Sequence, residues 1–411
     1  MNILYLNHYA GSPALGMEYR PYYLAREWVR RGHAVTLLAA SFSHVRTLQP
    51  PQSEQPRSTL DGIAYRWYPT PAYRGNGWGR VQNIFAFLRA VWADTPTLLR
   101  ECRPDVVIAS STYPMDIWVA RRIARACAAR LVYEVHDLWP LSPIELSGMS
   151  PWHPFALLCQ AAENSAYRDA DVVVSMLPKV HEHMAAHGLD LRKLHIVPNG
   201  ITPDEWPDTT PPLQGEVAQM LARVRADEGS AGQCVVGYAG SMGLPNALDT
   251  LLDAARLLQS QPLQIVLVGS GHERARLEHR VSEEGLSKVH FFPAIPKAQV
   301  PAFLALVDIA YIGWQRVPIY RFGIAPNKLM DYMMARKAVL HSVAAGNDPV
   351  AEAGAGLTVA PESAAAVADG LMQLAALPAA QRASMGERGR AFVLAHHTYP
   401  VLAQRFLDAL R

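Results

Sequence analysis

The feature that most constrains the fold is a repeated alternation of short apolar runs with longer segments of helical periodicity. Residues 3–6 are a short apolar run, as expected of a strand buried on both faces of a parallel sheet. From Glu18 to Arg31 the apolar side chains recur at helical spacing, and Gly32 follows as a suitable helix C-cap. Such strand–helix alternation predicts an α/β protein with parallel sheets.

The alternation recurs along the chain and is interrupted once, by a proline-rich stretch at residues 198–212. Further predicted strands lie at 34–39, 105–109, 131–135, 171–175, 235–240, 264–269 and 338–340, and further helices at 115–129 and 248–258. The 411 residues fit two large domains. We therefore predict an α/β fold of two doubly wound, Rossmann-like domains facing a cleft, residues 1–200 and 201–395. A C-terminal helix at 396–411 is expected to pack back onto the first domain.

Charge and composition exclude several classes of protein. The 38 basic and 36 acidic residues give a net charge of +2, which argues against a polyanion-coating protein, and no nucleic-acid-binding module is recognised. The N-terminus lacks the basic region of a signal peptide, and no window approaches 18 uncharged apolar residues. The four cysteines show no CxxC spacing, which predicts reduced thiols. We expect a cytoplasmic protein.

Three glycine-bearing turns each follow a predicted strand and precede a predicted helix. They are Gly11 to Gly16, Gly240-Ser241-Met242-Gly243 and Gly269-Ser270-Gly271. Glycine lets a backbone approach a phosphate closely, but tight turns in any α/β fold also need it. The dinucleotide pattern GxGxxG is incomplete, because Arg274 stands at its third glycine, and no phosphate-binding P-loop motif occurs.

The segment from Arg321 to Met333 is the most informative one. On a helix that begins near Pro326, Lys328 and Asp331 share one face. A carboxylate there can accept both hydroxyls of a ribose, and the lysine can meet a phosphate. The alternative is an ordinary surface ion pair.

Two patterns resemble metal sites, and we predict no metal at either. Asp169-Ala170-Asp171 lies at a helix-to-strand junction, where solvated carboxylates are common. His183 and His187 have the i, i+4 spacing of a zinc pair, but position 185 is Ala and no third ligand is evident.

Between Tyr65 and Arg103, aromatic residues alternate with arginines. A helical stripe there consists of Val81, Ile84, Phe85, Leu88, Val91 and Trp92. The stripe indicates either core packing or a membrane-facing acceptor site. Residues 1–120 contain 12 arginines and 8 acidic residues, so this part of the chain leans basic.

Taken together, the motifs make the chain resemble a retaining glycosyltransferase of the family-4, GT-B type over nearly its whole length. The motifs are Gly16 before a helix that ends at Arg31-Gly32-His33-Ala34-Val35-Thr36, then Glu134-Val135-His136-Asp137, Pro198-Asn199-Gly200-Ile201 and Pro326-Asn327-Lys328-Leu329-Met330-Asp331-Tyr332-Met333. A closer similarity, to the bacterial surface-polysaccharide branch related to N-acetylfucosamine transferases, rests on Asn7-His8-Tyr9, Gly75-Asn76-Gly77 and Trp139-Pro140-Leu141-Ser142-Pro143.

The resemblance implies roles for individual residues. The expected catalytic residues are His136 at the donor sugar, Lys328 at the diphosphate and Asp331 at the ribose. The expected donor-binding residues are Gly16, Met17, Gly240, Ser241, Asn246, Gly269, Gly271, Arg321, Ile324, Ala325 and Asn327. The expected acceptor-binding residues are His8, Arg20, Arg74, Arg80 and Asp137.

The chain departs from the family pattern at two places. The family's Glu-x7-Glu has Gly323 at its first position and Asp331 at its second. The usual Arg and Lys after the first strand of the second domain fall on Ser241 and Asn246. We expect Lys328, or one of the arginines Arg316 and Arg321, to neutralise the diphosphate instead.

The implied reaction moves a hexosamine or deoxyhexosamine from a UDP-sugar to a polyprenyl-diphosphate-linked sugar or another glycan, with no metal or cofactor. The enzyme would act in surface polysaccharide biosynthesis, at the inner face of the cytoplasmic membrane. One alternative is a sugar-nucleotide 2-epimerase of the same fold. Another is a non-catalytic GT-B partner subunit, suggested by the missing Arg, Lys and Glu.

Overall fold

The chain forms two compact units in the computed structural model, which describes residues 1–16, 19–50, 57–75, 77–207, 212–226 and 233–411. The first unit comprises Met1–Asn199 and Tyr399–Arg411, and the second comprises Gly200–Thr398. The chain thus leaves the first unit within the Pro198-Asn199-Gly200 turn, at the start of the proline-rich stretch.

The first unit contains, within the described residues, an eight-stranded sheet in the order β3-β4-β2-β1-β5-β6-β7-β8. Its strands are β1 (Asn2–Leu6), β2 (Ala34–Ala40), β3 (Arg57–Leu60), β4 (Ile63–Tyr68), β5 (Val106–Ala109), β6 (Arg130–Val135), β7 (Val172–Ser175) and β8 (Leu194–Ile196). All neighbouring strands are parallel except β3 and β4, which form an antiparallel edge. The order reverses between β1 and β5, so the sheet has a topological switch point there.

Helices cover this sheet. They are α1 (Tyr19–Arg30), α2 (Trp78–Ala93), α3 (Thr95–Cys102), α4 (Asp116–Cys127), α5 (Leu141–Ser147), α6 (Pro154–Asp169) and α7 (His181–Ala186). The strands β1 and β5 are almost wholly buried, as their apolar runs predict.

The second unit contains a six-stranded parallel sheet in the order β11-β10-β9-β12-β13-β14, again counted over the described residues. In chain order its elements are α8 (Glu216–Ala226), β9 (Cys234–Ser241), α9 (Leu248–Leu257), β10 (Leu263–Ser270), α10 (Arg274–Glu283), β11 (Val289–Phe292), α11 (Val300–Ala305), β12 (Ile309–Gly313), α12 (Asn327–Met334), β13 (Ala338–Ser342), α13 (Pro349–Ala353), β14 (Gly356–Val359), α14 (Ala364–Ala376) and α15 (Ala379–His396). This is the 3-2-1-4-5-6 strand order of a Rossmann fold, with its switch point between β9 and β12.

The last helix, α16 (Tyr399–Ala409), belongs to the first unit. Its Phe406 ring packs on Trp28 at 5.0 Å between centroids, and Tyr399 stacks on Tyr23 at 4.8 Å. The Trp28 indole N–H also donates to the Ala403 carbonyl oxygen at 3.2 Å. The chain end therefore completes the core of the first unit around α1.

The predicted fold class, two Rossmann-like parallel sheets, is confirmed. Helix α1 is described from Tyr19 onward, because Met17 and Glu18 lie outside the described residues. The four cysteines form no disulfide, in agreement with their spacing. Among the described residues, no helix combines the length and the apolar character needed to cross a bilayer.

Candidate functional site

The switch point of the second sheet carries the densest group of the predicted donor residues. Strand β9 ends at Ser241, and the turn that follows brings Asn246 back beneath it, where the Asn246 amide donates to the Ser241 carbonyl at 3.0 Å. The Lys328 ammonium group reaches the same place from α12 and donates to the Asn246 side-chain oxygen. Lys328, Ser241 and Asn246, which lie far apart in sequence, thus meet in space.

Tyr238 completes this group. Its hydroxyl accepts a hydrogen bond from Lys328 Nζ at 3.0 Å and donates to the Ser241 carbonyl oxygen. The ammonium group also lies 4.8 Å from the centre of the Tyr238 ring, within reach of a cation–π interaction. We refer to Tyr238, Ser241, Asn246 and Lys328 as the lysine network.

The lysine network holds its cation with neutral partners. Burial lowers the pKa of Lys328 to about 7, because a charged ammonium loses solvation there. An anion bound beside Nζ would favour the charged form, so the network is suited to receive a negative ligand at the end of the sheet.

Asp331 lies one turn further along α12. The helix is fixed to β9 by Tyr332, whose hydroxyl accepts from the Ala239 N–H at 2.8 Å and donates to the Ala239 carbonyl at 3.1 Å. Burial raises the pKa of Asp331 to about 6, with the nearby Lys297 cation lowering it and Glu205 raising it. Lys297 and Glu205 themselves form an ion pair of 2.8 Å.

Helix α12 begins at Asn327, one residue after the predicted Pro326. Asn327 is exposed at its first turn, while Leu329, Met330 and Met333 are buried in the core of the second unit, as expected for a docked helix. The Ile324 N–H donates to the Asn347 side chain at 2.7 Å, which fixes the loop before the helix.

The remaining predicted donor residues take different positions. Arg321 and Arg316 are exposed, with the Arg321 guanidinium 4.2 Å from the Phe322 ring, and Ala325 is half-buried. Met17 lies outside the described residues. Gly240 faces the lysine network, since a Cβ built there would lie 3.5 Å from Lys328 Nζ.

Gly269 and Gly271 have a structural explanation. A Cβ at Gly269 would lie 1.9 Å from the Gly240 carbonyl oxygen, and one at Gly271 would lie 2.1 Å from the Met242 carbonyl oxygen. The close approach of the turns after β9 and β10 therefore requires both glycines, whatever they bind.

The switch point of the first sheet is polar and buried. Asn7 follows β1 and Ser110 follows β5, and the Asn7 amide donates to the Ser110 carbonyl at 2.7 Å. His136 follows the next strand, β6, and its Nε2 lies 2.9 Å from Ser110 Oγ. The predicted catalytic histidine is thus placed at the carboxyl end of the sheet.

Glu134, two residues before His136, organises this switch point. It accepts from Arg20 at 2.9 Å, from the Tyr5 hydroxyl at 2.5 Å and from the Ser110 hydroxyl at 2.6 Å. Burial alone would raise the pKa of Glu134, but the Arg20 cation and these donors hold it well below its usual range.

This arrangement sets the tautomer of His136. Ser110 has one hydroxyl proton and gives it to the Glu134 carboxylate, so Ser110 Oγ must accept from His136. The proton of the neutral ring therefore lies on Nε2, and the lone pair lies on Nδ1. The result is a histidine of fixed orientation whose other nitrogen is a hydrogen-bond acceptor.

Two of the predicted acceptor residues, Arg20 and His8, are buried. Arg20 is buried, and besides Glu134 its guanidinium binds the carbonyls of Val197 and Pro198 at 2.8 Å and 2.6 Å. His8 is fully buried, hydrogen-bonded to the Tyr113 hydroxyl at 2.7 Å, and burial lowers its pKa to about 3. Both side chains are enclosed at the strand ends, and their assignment to the acceptor stays a prediction.

The other predicted acceptor residues are more accessible. Arg74 and Asp137 are exposed, and Arg80 is half-buried. The Arg80 guanidinium donates to the Tyr9 hydroxyl at 3.1 Å and lies 5.7 Å from the Trp139 ring centre. Arg80 thus joins the loop after β1 to the segment after His136.

Gly16 has backbone angles that favour glycine, with a φ of +81°. A Cβ there would also lie 2.5 Å from Thr47 Oγ1. The loop geometry alone therefore requires glycine at this position.

The helical stripe of α2 is divided between the core and the surface. Ile84, Leu88 and Val91 are buried in the core, whereas Phe85 and Trp92 are each 45% exposed. Trp78, seven residues before Phe85, is 72% exposed. The exposed aromatics Trp78, Phe85 and Trp92 recur every seven residues, which places them along one face of the helix.

The two patterns that resemble metal sites differ in their surroundings. The aspartates of the first pattern are bonded to protein groups, and the histidines of the second lie beside a carboxylate. Asp169 pairs with Arg121, and Asp171 accepts from the Leu131 N–H at 2.8 Å. His183 and His187, predicted to lie on an ordinary solvated helix, are instead half-buried and lie beside Glu163.

Sequence reasoning missed the residues that orient the predicted ones. This role belongs to Tyr238 in the second unit and to Tyr5, Ser110 and Glu134 in the first. A usable signal existed only for Glu134, because a carboxylate inside a buried strand implies a buried partner.

Comparison with known families assigns each unit a domain type. Residues 16–200 match the family model described as a glycosyl transferase 4-like domain, and residues 233–376 match the one described as glycosyl transferases group 1. The chain is 24% identical to a protein of Escherichia coli strain K12 described as a colanic acid biosynthesis glycosyl transferase, WcaI, over 68% of each chain.

Solved structures share the fold at low sequence identity. Sucrose-phosphate synthase of Thermosynechococcus elongatus matches with a TM-score of 0.73 and 17% identity, over 100% of this chain and 98% of its own. Anabaena HepE, solved in complex with UDP and glucose, matches with a TM-score of 0.67 and 17% identity, over 100% of this chain and 99% of its own.

Proposed function

We propose that this chain, a glycosyltransferase of the GT-B type, transfers an N-acetylhexosamine or a deoxyhexosamine from a UDP-sugar to a lipid-linked or glycan acceptor, with retention of anomeric configuration. The process it serves is surface polysaccharide biosynthesis. The relation to a colanic acid glycosyl transferase supports that process, and the short surface-polysaccharide motifs support the hexosamine.

The observation that carries the proposal is the lysine network at the switch point of the second sheet. A Lys328 ammonium with neutral partners at the end of β9 is suited to a diphosphate, and Asp331 on the same helix is suited to ribose hydroxyls. The complex of HepE with UDP and glucose, on a shared fold, supports a uridine nucleotide as the donor.

The lysine network also supports a replacement for the family's Arg and Lys, whose positions are Ser241 and Asn246 in this chain. Asn246, which stands where the family has a lysine, is hydrogen-bonded to Lys328 Nζ. We infer that the cation which the β9 loop lacks is supplied from α12.

In the proposed reaction, the bond between the sugar C1 and the diphosphate oxygen breaks while a bond from the acceptor oxygen to C1 forms on the same face. The acceptor proton passes to the departing diphosphate oxygen, so no separate carboxylate base is needed. Negative charge grows on the leaving group in the transition state, where Lys328 and the N–H groups at the start of α12 stabilise it. We propose that this route uses neither a metal nor a cofactor, because Lys328 provides the charge.

We assign His136 a hydrogen bond to the transferred sugar. Its Nε2–H donates a hydrogen bond to Ser110 Oγ, so Nδ1 of the neutral ring accepts from a sugar hydroxyl. An orienting hydrogen bond of this kind places C1 for attack without forming a covalent intermediate.

The acceptor is proposed to bind the first unit, near Arg74, Arg80 and Asp137. The exposed face of Trp78, Phe85 and Trp92 supports a lipid-linked acceptor at a membrane surface, since aromatic side chains favour that interface. The Arg122 guanidinium lies 4.1 Å from the Trp92 ring centre and adds positive charge that suits anionic lipid.

The test combines product analysis with donor binding. Purified protein is incubated with a panel of UDP-sugars, with and without polyprenyl-diphosphate-linked acceptors, and products are identified by mass spectrometry. Transfer only in the presence of acceptor is expected. A changed sugar without acceptor would indicate an epimerase, and binding without turnover of any donor would indicate a partner subunit.

Donor binding is measured in parallel by calorimetry with UDP. Asp331→Asn should weaken UDP binding, whereas the matched change at the exposed Asp369, on α14 of the same unit, should not. Unchanged UDP binding in Asp331→Asn would contradict the assignment of the ribose site.

A further inference from the structure

Three side chains of the first unit, two on helices and one at a helix end, converge outside the site described above. Glu163 lies on α6, His183 lies on α7, and His187 directly follows α7. One ligand atom from each lies within 4.8 Å of the others. The histidines recur at i, i+4, but the carboxylate comes from 20 residues earlier, so the sequence alone did not bring the three together.

We propose that Glu163, His183 and His187 form a binding site for a divalent transition metal, with zinc as the best match. Two imidazoles and one carboxylate are a common zinc ligand set that leaves a fourth position for water. The nitrogen ligands disfavour Mg²⁺ and Ca²⁺, and the lack of a sulfur ligand disfavours Cu(I).

The two helices present these groups in a suitable chemical state. His187 Nδ1 lies 2.8 Å from the His183 carbonyl oxygen and donates to it, so the lone pair of the neutral ring lies on Nε2. A backbone carbonyl that fixes the tautomer in this way is typical of metal-binding histidines. The rings of His183 and His187 lie side by side, with centroids 4.3 Å apart.

Glu163 is oriented as a ligating carboxylate would be. Its Oε1 accepts from the Tyr167 hydroxyl and its Oε2 from the Gln160 amide, each at 2.8 Å. Each oxygen keeps a second lone pair, which a metal can use. These two donors fix the carboxylate plane, as hydrogen bonds to metal-binding carboxylates do.

The burial of Glu163 beside neutral donors also favours a cation. The carboxylate is 1% exposed, and the two donors just named are neutral. Glu134, in the same unit, has a guanidinium within 2.9 Å. A buried carboxylate is costly unless a positive charge accompanies it, and a divalent ion between Glu163 and the histidines supplies one.

The spacing requires only a small adjustment. Ligand atoms around a tetrahedral zinc lie roughly 3.3 Å apart, since the metal–ligand bonds are about 2.0–2.2 Å long. Side-chain rotations that move the atoms by about 1 Å are therefore sufficient. His183 and His187 are half-buried on a short helix and its cap, which gives them that freedom.

The site would join the helix before β7 to the helix after it. Because α7 has only six residues, a metal bridge to α6 would hold it in place. We assign the metal this structural role, separate from sugar transfer.

The experiment uses the full chain without a histidine tag, freed of metal by a chelator and dialysed. Titration with ZnCl₂ in a calorimeter is expected to show one equivalent bound, and CoCl₂ is expected to give the visible absorption of a four- or five-coordinate site. Saturating zinc should raise the melting temperature, because a ligand that binds only the folded state stabilises it.

Variants locate the ligands. His187→Gln and Glu163→Gln should each weaken zinc binding at least tenfold and abolish the cobalt absorption. His181→Gln, an exposed histidine on the same helix, is the matched control and should bind one equivalent as before. If Glu163→Gln fails to fold, His187→Gln and His183→Gln carry the test alone.

Two results would overturn the proposal. One is the absence of a stoichiometric zinc or cobalt complex in the unaltered chain. The other is a full equivalent retained in the His183→Gln, His187→Gln double variant. Neither result depends on which sugar the chain transfers, so failure here leaves the proposed function standing.

Discussion

An ionisable side chain lies at the switch point of each sheet, Glu134 buried on β6 and Lys328 half-buried on α12, and the two differ in the charge of their partners. In the first unit, Glu134 has the Arg20 guanidinium at 2.9 Å and hydroxyl donors from Tyr5 and Ser110. In the second unit, Lys328 donates to the Tyr238 hydroxyl and the Asn246 amide oxygen, which carry no charge.

The pKa shifts express the same contrast. The Arg20 cation holds the pKa of Glu134 well below its usual range despite burial. Burial lowers the pKa of Lys328 to about 7, and the partners that accept its hydrogen bonds in the described part of the chain carry no charge. The Arg20 cation compensates the buried charge of Glu134, so this pair contributes to the fold of the first unit. A half-buried cation with neutral partners can still receive an anionic ligand, which is why we propose that the diphosphate binds at Lys328 rather than near Glu134.

The largest expected effect comes from removing the compensation in the first unit. Arg20→Met leaves Glu134 buried without its cation, which should cost about 3–5 kcal/mol of stability. Arg30→Met, an exposed residue on the same helix, should cost about 0–1 kcal/mol. Urea unfolding followed by circular dichroism measures both, and equal costs would show that Glu134 does not depend on the Arg20 cation.

In the second unit, removing the charge should affect binding rather than structure. Lys328→Met is expected to weaken UDP-sugar binding by about 1.5–3 kcal/mol, or roughly 10–100-fold, through loss of a charged hydrogen bond. Arg321→Met should change it little if Lys328 is the diphosphate cation. Calorimetry at pH 6.5 tests this, and a greater loss in Arg321→Met would move the cation to that arginine.

The pH dependence of donor binding sharpens the comparison further. Above pH 7, Lys328 must take up a proton to meet the diphosphate, so affinity should fall by up to tenfold per pH unit. Below pH 6, Asp331 becomes protonated and accepts ribose hydroxyls less well. Affinity for UDP-N-acetylglucosamine, whose diphosphate does not titrate in this range, should therefore be highest between about pH 6 and 7.

The matched variants separate the two limbs of that profile. Lys328→Met should lose the fall above pH 7 and keep the fall below pH 6, and Asp331→Asn should do the reverse. A profile that is flat in the unaltered protein would show that neither group titrates on binding.

The sequence predicted the two parallel sheets because their strands are short apolar runs, and burial on both faces demands such runs. It also predicted that α12 would place Lys328 and Asp331 on one helix, since i, i+3 spacing is a local property. It did not predict the lysine network or the hydrogen bonds that Glu134 accepts from Arg20, Tyr5 and Ser110, since these are tertiary contacts that local patterns do not encode. The ion pair of Arg20, a predicted acceptor residue, with Glu134 was likewise not predicted, because the two residues are far apart in sequence.

The smallest expected effect is at Ser110, which links the Glu134 carboxylate to the His136 ring. Ser110→Ala removes the acceptor that holds the Nε2 proton, so the ring can exchange tautomers and rotate. Outer hydrogen-bond partners of metal-binding histidines typically contribute 10–100-fold, and we expect the lower end for His136, to which we assign no metal: kcat should fall by roughly tenfold while the KM for the donor stays unchanged.

The ¹⁵N shifts of His136 provide the readout that a purely structural role would not move. They should show the Nε2–H tautomer in the unaltered protein and a mixture in Ser110→Ala. Ser110→Thr, which keeps the hydroxyl, should restore the tautomer and most of kcat if the larger side chain is accommodated. A fall in kcat with an unchanged tautomer would mean that Glu134 orients His136 without Ser110, and the framework would then act through the 3.5 Å contact between Glu134 and His136.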